Sequence, residues 1–166
     1  LYDRNRSSGR KQERIVAEEP IMGGCNCGAV RYAVTDEPVC VFICHCHLCQ
    51  KRTGSPFSMT MILPGDAVEL ISGEPEMTER ELPDGRRNVT AVCGACHSRL
   101  WTRRDGWPNL NLRAGTLDNT NDIRPVAQIW TSSAQPWAVI ADNILSYEEQ
   151  PTDIAPLLAA WKARRG

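Results

Sequence analysis

Four of the eight cysteines fall in one stretch, Cys40-Val41-Phe42-Ile43-Cys44-His45-Cys46-His47-Leu48-Cys49, and this crowding constrains the fold more than any other feature. A short apolar run delivers the chain to the C-x-C-x-x-C cluster of Cys44, Cys46 and Cys49, and Gly54-Ser55-Pro56 turns it away. Three soft donors at this spacing predict a metal site in preference to a disulfide framework. Thiolates bind zinc tightly, and three of them leave one of its four preferred positions open to water or a substrate thiol.

The other cysteines form two pairs. Cys25 and Cys27 lie among Gly23, Gly24 and Gly28, and Cys93 and Cys96 enclose Gly94. Glycines allow the backbone to turn so that the sulfurs of a pair converge. Four thiolates from two distant segments predict a closed structural zinc site. The cysteines thus divide into a set of four, a set of three, and Cys40 alone.

The length suits one domain that buries about two thirds of its unfolded surface, so staples are not required. Short cysteine spacings without that need favour metal knuckles in a reducing, cytoplasmic setting. The first twenty residues carry nine charged side chains. We read residues 1–21 as a disordered arm or an extension of vector or misannotated origin, 22–150 as the zinc domain, and 151–166 as a helical tail. No apolar run approaches the ~20 residues that span a bilayer. Counting seven thiolates against two divalent ions moves the formal charge from -1 to -4, which argues against a cationic nucleic-acid surface.

Hydrophobic patterning predicts a mostly β domain. Strands are expected over 29–34, 39–43, 57–63, 67–71, 77–82, 87–92, 100–103, 110–114 and 126–131, with a tight turn at Pro83-Asp84-Gly85-Arg86. Residues 46–52 are expected to curl into a knuckle or one helical turn. Only the tail reads as a helix, with Ile154, Leu157, Leu158 and Trp161 on one face and Pro156 in the first turn. The five tryptophans read as core or rim packing, and Cys40 as a small buried hydrophobe.

Spacing alone leaves His45 and His47 open as donors beside Cys44, Cys46 and Cys49, although in an extended segment the histidines face away from Cys44 and Cys46. His97 is a weaker competitor at the four-cysteine site. Lys51, Arg52 and Arg113 are candidates to bind the anionic groups of a substrate. Asp118 reads either as a turn cap or as a partner that orients Arg113.

Four segments together carry a resemblance: Gly23 to Tyr32, Cys44 to Phe57, Cys93-Gly94-Ala95-Cys96, and Arg113-Ala114-Gly115-Thr116-Leu117-Asp118. In this order they resemble the glutathione-dependent formaldehyde-activating enzyme family, whose relatives include centromere protein V. The resemblance spans about residues 22–140. It implies an Mss4-like zinc fold of stacked antiparallel sheets with a short C-terminal helix. It also implies structural zinc on Cys25, Cys27, Cys93 and Cys96, and catalytic zinc on Cys44, Cys46 and Cys49, the second ion being more exchangeable. The implied activity is that of a carbon-sulfur lyase of the S-(hydroxymethyl)glutathione synthase type, using glutathione and formaldehyde or a similar small thiol and aldehyde. Nucleic acid and membrane are not expected partners, and a homo-oligomer is compatible with the reading. Members often carry histidine where this chain has Gln128 and glycine where it has His97. Gln128 cannot act as an acid or base. The alternatives are a non-enzymatic glutathione- or protein-binding zinc module, and a redox enzyme attacking through Cys40.

Overall fold

The computed structural model describes residues 20–164. Most of the expected arm, and the last two residues of the tail, lie outside the described residues. The polypeptide builds two stacked sheets and a short C-terminal helix, as the patterning and the resemblance predict. β1 (Ile21–Gly24), β2 (Arg31–Val34) and β5 (Val68–Ser72) form a three-stranded antiparallel sheet in the order β1-β2-β5.

The larger sheet takes β3 (Cys40–Cys44), β4 (Ser58–Pro64), β6 (Glu76–Glu81), β7 (Arg87–Val92), β8 (Arg99–Arg104), β9 (Asn109–Arg113), β10 (Ala127–Ile129) and β11 (Leu145–Tyr147). Its order is β11-β10-β3-β4-β9-β8-β7-β6. Neighbours from β3 to β6 are antiparallel, whereas β10 runs parallel to both β3 and β11. Those two pairings depart from an all-antiparallel expectation because β10 re-enters the sheet beside β3 after a long excursion. Long connections permit parallel neighbours, and hairpins do not.

The core lies between the sheets. Tyr32, Leu63, Leu100, Leu110 and Leu112 are fully buried. Tyr32 of the small sheet meets Trp101 of the large one edge to face, with centroids 5.7 Å apart. The Tyr32 hydroxyl reaches the Thr116 hydroxyl at 2.7 Å, so the buried ring keeps its polar end satisfied. Gly23 passes directly over that hydroxyl; a Cβ there would sit 2.5 Å from it.

Two helices flank the sheets. α1 (His47–Thr53) is longer than the single turn expected, because both ends are capped. The Cys46 sulfur accepts from the Cys49 N–H, and Gly54, at φ 63°, closes the other end by donating to the Gln50 carbonyl. α2 (Ala155–Ala163) follows the expected tail, with Pro156 in its first turn and Leu157 and Trp161 buried. No helix among the described residues is long and apolar enough to cross a membrane. Trp101 and Trp161 are core residues, whereas Trp137 is 70% exposed, contrary to the packing role expected for it.

Cys40 is fully buried in β3, and burial pushes its thiol up to about 11. A thiol held protonated in a sealed core is no nucleophile at neutral pH. Cys40→Ala is expected to leave any thiol-aldehyde chemistry unchanged while costing about 1 kcal/mol of stability through the lost packing. Turnover assays and a melting curve check this, and lost turnover with metal content intact would reinstate Cys40 as a reacting group.

Candidate metal and substrate site

The first cysteine cluster joins the loop after β1 to the loop after β7. The four sulfurs of Cys25, Cys27, Cys93 and Cys96 lie within 4.8 Å of one another. Cys25 and Cys27 are 3.5 Å apart, and Cys27 and Cys93 are 3.8 Å apart. A tetrahedral zinc with Zn–S bonds of about 2.3 Å separates its sulfurs by about 3.8 Å, so the donor set fits that ion. The Val30 N–H points at the Cys25 sulfur at 3.2 Å and Ser98 hydrogen bonds draw Cys96 down to about 5, whereas, against a backbone hydrogen bond from Ala29, the Cys25 and Cys96 sulfurs push Cys27 up to about 11. His97 does not join this group. It is exposed and sits at φ 59°, a backbone setting that glycine occupies more cheaply.

The second cluster stands where β3 ends. Cys44 is the last residue of β3, Cys46 caps α1, and Cys49 lies one helical turn further on. Their sulfurs lie within 4.8 Å of one another, and among the described residues no histidine, aspartate or glutamate joins them. His45 instead turns into the protein, is 1% exposed, and meets Phe57 edge to face at 5.5 Å. Burial pushes its imidazole below the ordinary value. His47 is exposed at the start of α1. A hydrogen bond from Cys44 is the main cause that draws Cys49 down to about 5, against its burial, with help from Cys46, Ser58 and the Arg113 charge. Cys44, which gives that hydrogen bond and is buried, is held protonated. Cys49 thus has thiolate character in the free protein, and three sulfurs gathered this closely fit a thiophilic ion with one position to spare.

The sheet register builds the ground beside this cluster. Ser58, opening β4, pairs across from Cys44, and Thr60 pairs across from Arg113 at the end of β9. The Arg113 guanidinium donates to the Ser58 hydroxyl at 2.9 Å and to the Thr60 hydroxyl at 3.2 Å. Arg99 opens β8, the antiparallel neighbour of β9, and so reaches the same end of the sheet. Arg52, from the last turn of α1, completes the wall. Arg52, Ser58, Arg99 and Arg113 line a cleft of about 460 Å³ together with Thr53, Ser55, His97 and Thr116.

The candidates from sequence are thus placed unequally. Arg52 and Arg113 share the cleft, but Lys51 faces a different groove, beside Gln135 and Trp137. Asp118 does not orient Arg113; its carboxylate is engaged by Arg31, which holds it below the usual carboxylate range. Gln128 is buried and donates to the Ala141 carbonyl at 2.6 Å, a structural duty. Sequence reasoning missed Arg99. Its only local signal is its place at the head of a strand immediately after the second knuckle.

Residues 20–133 match the glutathione-dependent formaldehyde-activating enzyme family. A Halomonas elongata protein named "Putative glutathione-dependent formaldehyde-activating enzyme" is 33% identical over 96 residues, which cover 53% of this chain and 59% of that protein. The chain therefore spans well under two thirds of that relative's length. A crystal structure of a Rhodobacter sphaeroides protein superposes with a TM-score of 0.47 at 18% identity, covering 61% of this chain and 92% of that one. The family match takes in the C-x-C pair, the C-x-C-x-x-C cluster and the C-x-x-C pair, whose sulfurs the fold gathers into groups of four and three. The chain belongs to the glutathione-dependent formaldehyde-activating enzyme family.

Proposed function

We propose that the protein is a zinc-dependent carbon-sulfur lyase that makes and breaks a thiol-aldehyde adduct, in the manner of S-(hydroxymethyl)glutathione synthase. The observation that carries this reading is the three-sulfur cluster, without a fourth protein donor among the described residues, set beside a cleft walled by arginines. Cys44, Cys46 and Cys49 would hold the catalytic zinc, and Cys25, Cys27, Cys93 and Cys96 the structural one. A zinc ion in the three-sulfur site supplies Lewis acidity and an exchangeable position at which a thiol is stabilised as thiolate.

The protein's own residues then do the positioning. Arg52, Arg99 and Arg113 draw the anionic part of the thiol into the cleft, and the hydroxyls of Ser58 and Thr60 fix the Arg113 fork in place. The substrate thiol gives its proton to water, and its sulfur attacks the carbonyl carbon of the aldehyde. A carbon-sulfur bond forms, the C=O electron pair moves to oxygen, and that oxygen takes a proton from water. The reverse step returns the proton, collapses the adduct and releases thiolate and aldehyde.

Protein purified without chelator is expected to hold about two zinc ions per chain, one resistant to a mild chelator and one readily removed. Metal analysis during stepwise chelation checks this, paired with exchange spectroscopy on glutathione and formaldehyde. Loss of acceleration on removing the second ion, with recovery on adding it back, supports the reading. A fully loaded protein that does not accelerate exchange overturns it in favour of a non-enzymatic thiol-binding module.

A further inference from the structure

The cleft beside the three cysteines is unusual in its charge balance. Three of its lining residues are arginines, and none is acidic. No carboxylate pairs with Arg52, Arg99 or Arg113 among the described residues, although Arg31, Arg86 and Arg87 all have acidic partners. Arg99 donates to the Thr90 hydroxyl at 3.3 Å, and its Nε is buried with no hydrogen-bond partner. A guanidinium does not shed its proton to relieve such crowding, so the charge stays.

The arginines register one another's presence. Burial, followed by the charges of Arg99, Arg80 and Arg113, presses the Arg52 guanidinium below its ordinary value. Burial and then Arg113 do the same to Arg99. Three thiolates around one divalent ion carry a net charge of only -1, which leaves the arginine wall in excess. Cys49 offsets part of the charge on Arg52 and Arg99, but three half-buried like charges facing a cluster of net charge -1 still call for an anionic ligand.

Glutathione matches this wall imperfectly. It brings two carboxylates but also an ammonium, and the cleft lining offers no carboxylate to receive that ammonium. We propose that the cleft selects a thiol bearing two negative charges and no ammonium, a dicarboxylate or a phosphomonoester, in preference to glutathione. This rests on the thiol-aldehyde reading above for its chemistry, but the recognition itself is a property of Arg52, Arg99 and Arg113.

Glutaryl-cysteinyl-glycine, which is glutathione without its amino group, isolates the question. Calorimetry on the zinc-loaded protein would compare the S-methyl derivatives of both peptides, so that neither ligand offers a thiolate to the metal. The S-methyl desamino peptide is expected to bind about tenfold more tightly, and the advantage should shrink to about threefold or less in a folded Arg99→Gln protein. Arg99→Lys should restore part of it. Equal binding, or tighter binding of S-methylglutathione, overturns the proposal.

Mercaptosuccinate and phosphopantetheine then separate carboxylate from phosphomonoester. The tighter of the two identifies the head group, and failure of both to displace S-methylglutathione also overturns the proposal. Turnover distinguishes the two readings. If the desamino preference holds but no thiol reacts with formaldehyde, the reaction is wrong and the recognition stands; if glutathione reacts and the preference is reversed, the recognition is wrong and the reaction stands.

Discussion

Cys93→Ser is expected to lower the melting temperature by roughly 10 °C or more and to send much of the protein into the insoluble fraction. Cys93 is 1% exposed and belongs to the core cluster that also holds Leu100 and Trp101. It follows β7, the strand that brings the second knuckle to Cys25 and Cys27, and lies 66 residues beyond Cys27 in sequence. Joining segments that far apart offsets a large loop-closure entropy, and a hard hydroxyl oxygen is a poor replacement for a thiolate on zinc. Losing several kcal/mol in a domain of this size translates into about 2–4 °C for each. Melting curves and light scattering in zinc-containing buffer measure the effect. A melting point within about 3 °C of the parent would show that the four-cysteine set is not a clamp.

Cys46→Ser is expected to do the opposite: to keep the fold, to lose one zinc ion, and to slow thiol-aldehyde exchange by about a hundredfold or more. The reason lies in the double duty of Cys46. Its sulfur is grouped with Cys44 and Cys49, and it also accepts the Cys49 N–H at the start of α1. Serine is among the best residues at a helix N-cap, so the substitution preserves the helix while replacing a soft donor with a weak one. Far-ultraviolet circular dichroism, melting, zinc content and exchange rate on the same preparation separate the possibilities. Unfolding like the Cys93 variant would make the cluster structural. Retained acceleration after loss of the ion would mean that zinc there is not the catalyst.

The sequence carried more of this than a chain of this length usually does, for identifiable reasons. Cysteine spacing and glycine turns are local, and so the two sulfur groups could be read before any strand was paired. Strand positions were also local: alternation over Val30, Tyr32 and Val34 marked residues that are indeed buried. The helix at His47–Thr53 was undervalued because seven residues are too few for propensity alone to sustain a helix; the Cys46 and Gly54 caps hold its two ends. The arginine wall was only half visible. Arg52 and Arg113 were singled out for lying near motifs, but Arg99 reaches the cleft through the pairing of β8 with β9, a contact that no local pattern announces. The strand expected over 126–131 is present as β10, but its parallel pairing with β3 and the three-residue β11 beside it carry no local signal.

That parallel insertion gives the large sheet pairings of very different sequence range. β6, β7, β8 and β9 follow one another through short turns, so their ladders close early, whereas β10 must wait for most of the chain before it can lie against β3. Ile129 is paired with Cys44, and the His45 N–H donates to the Ile129 carbonyl at 3.0 Å. The three-cysteine cluster therefore borders the β10–β11 end of the large sheet, while Cys93 and Cys96 of the four-cysteine group follow β7, near its opposite end. Partial opening at β10 can expose Cys44, Cys46 and Cys49 without releasing the clamp. An ion held by the three cysteines would then be lost and replaced within the folded ensemble, through local opening of β10 and β11 instead of unfolding of the whole chain.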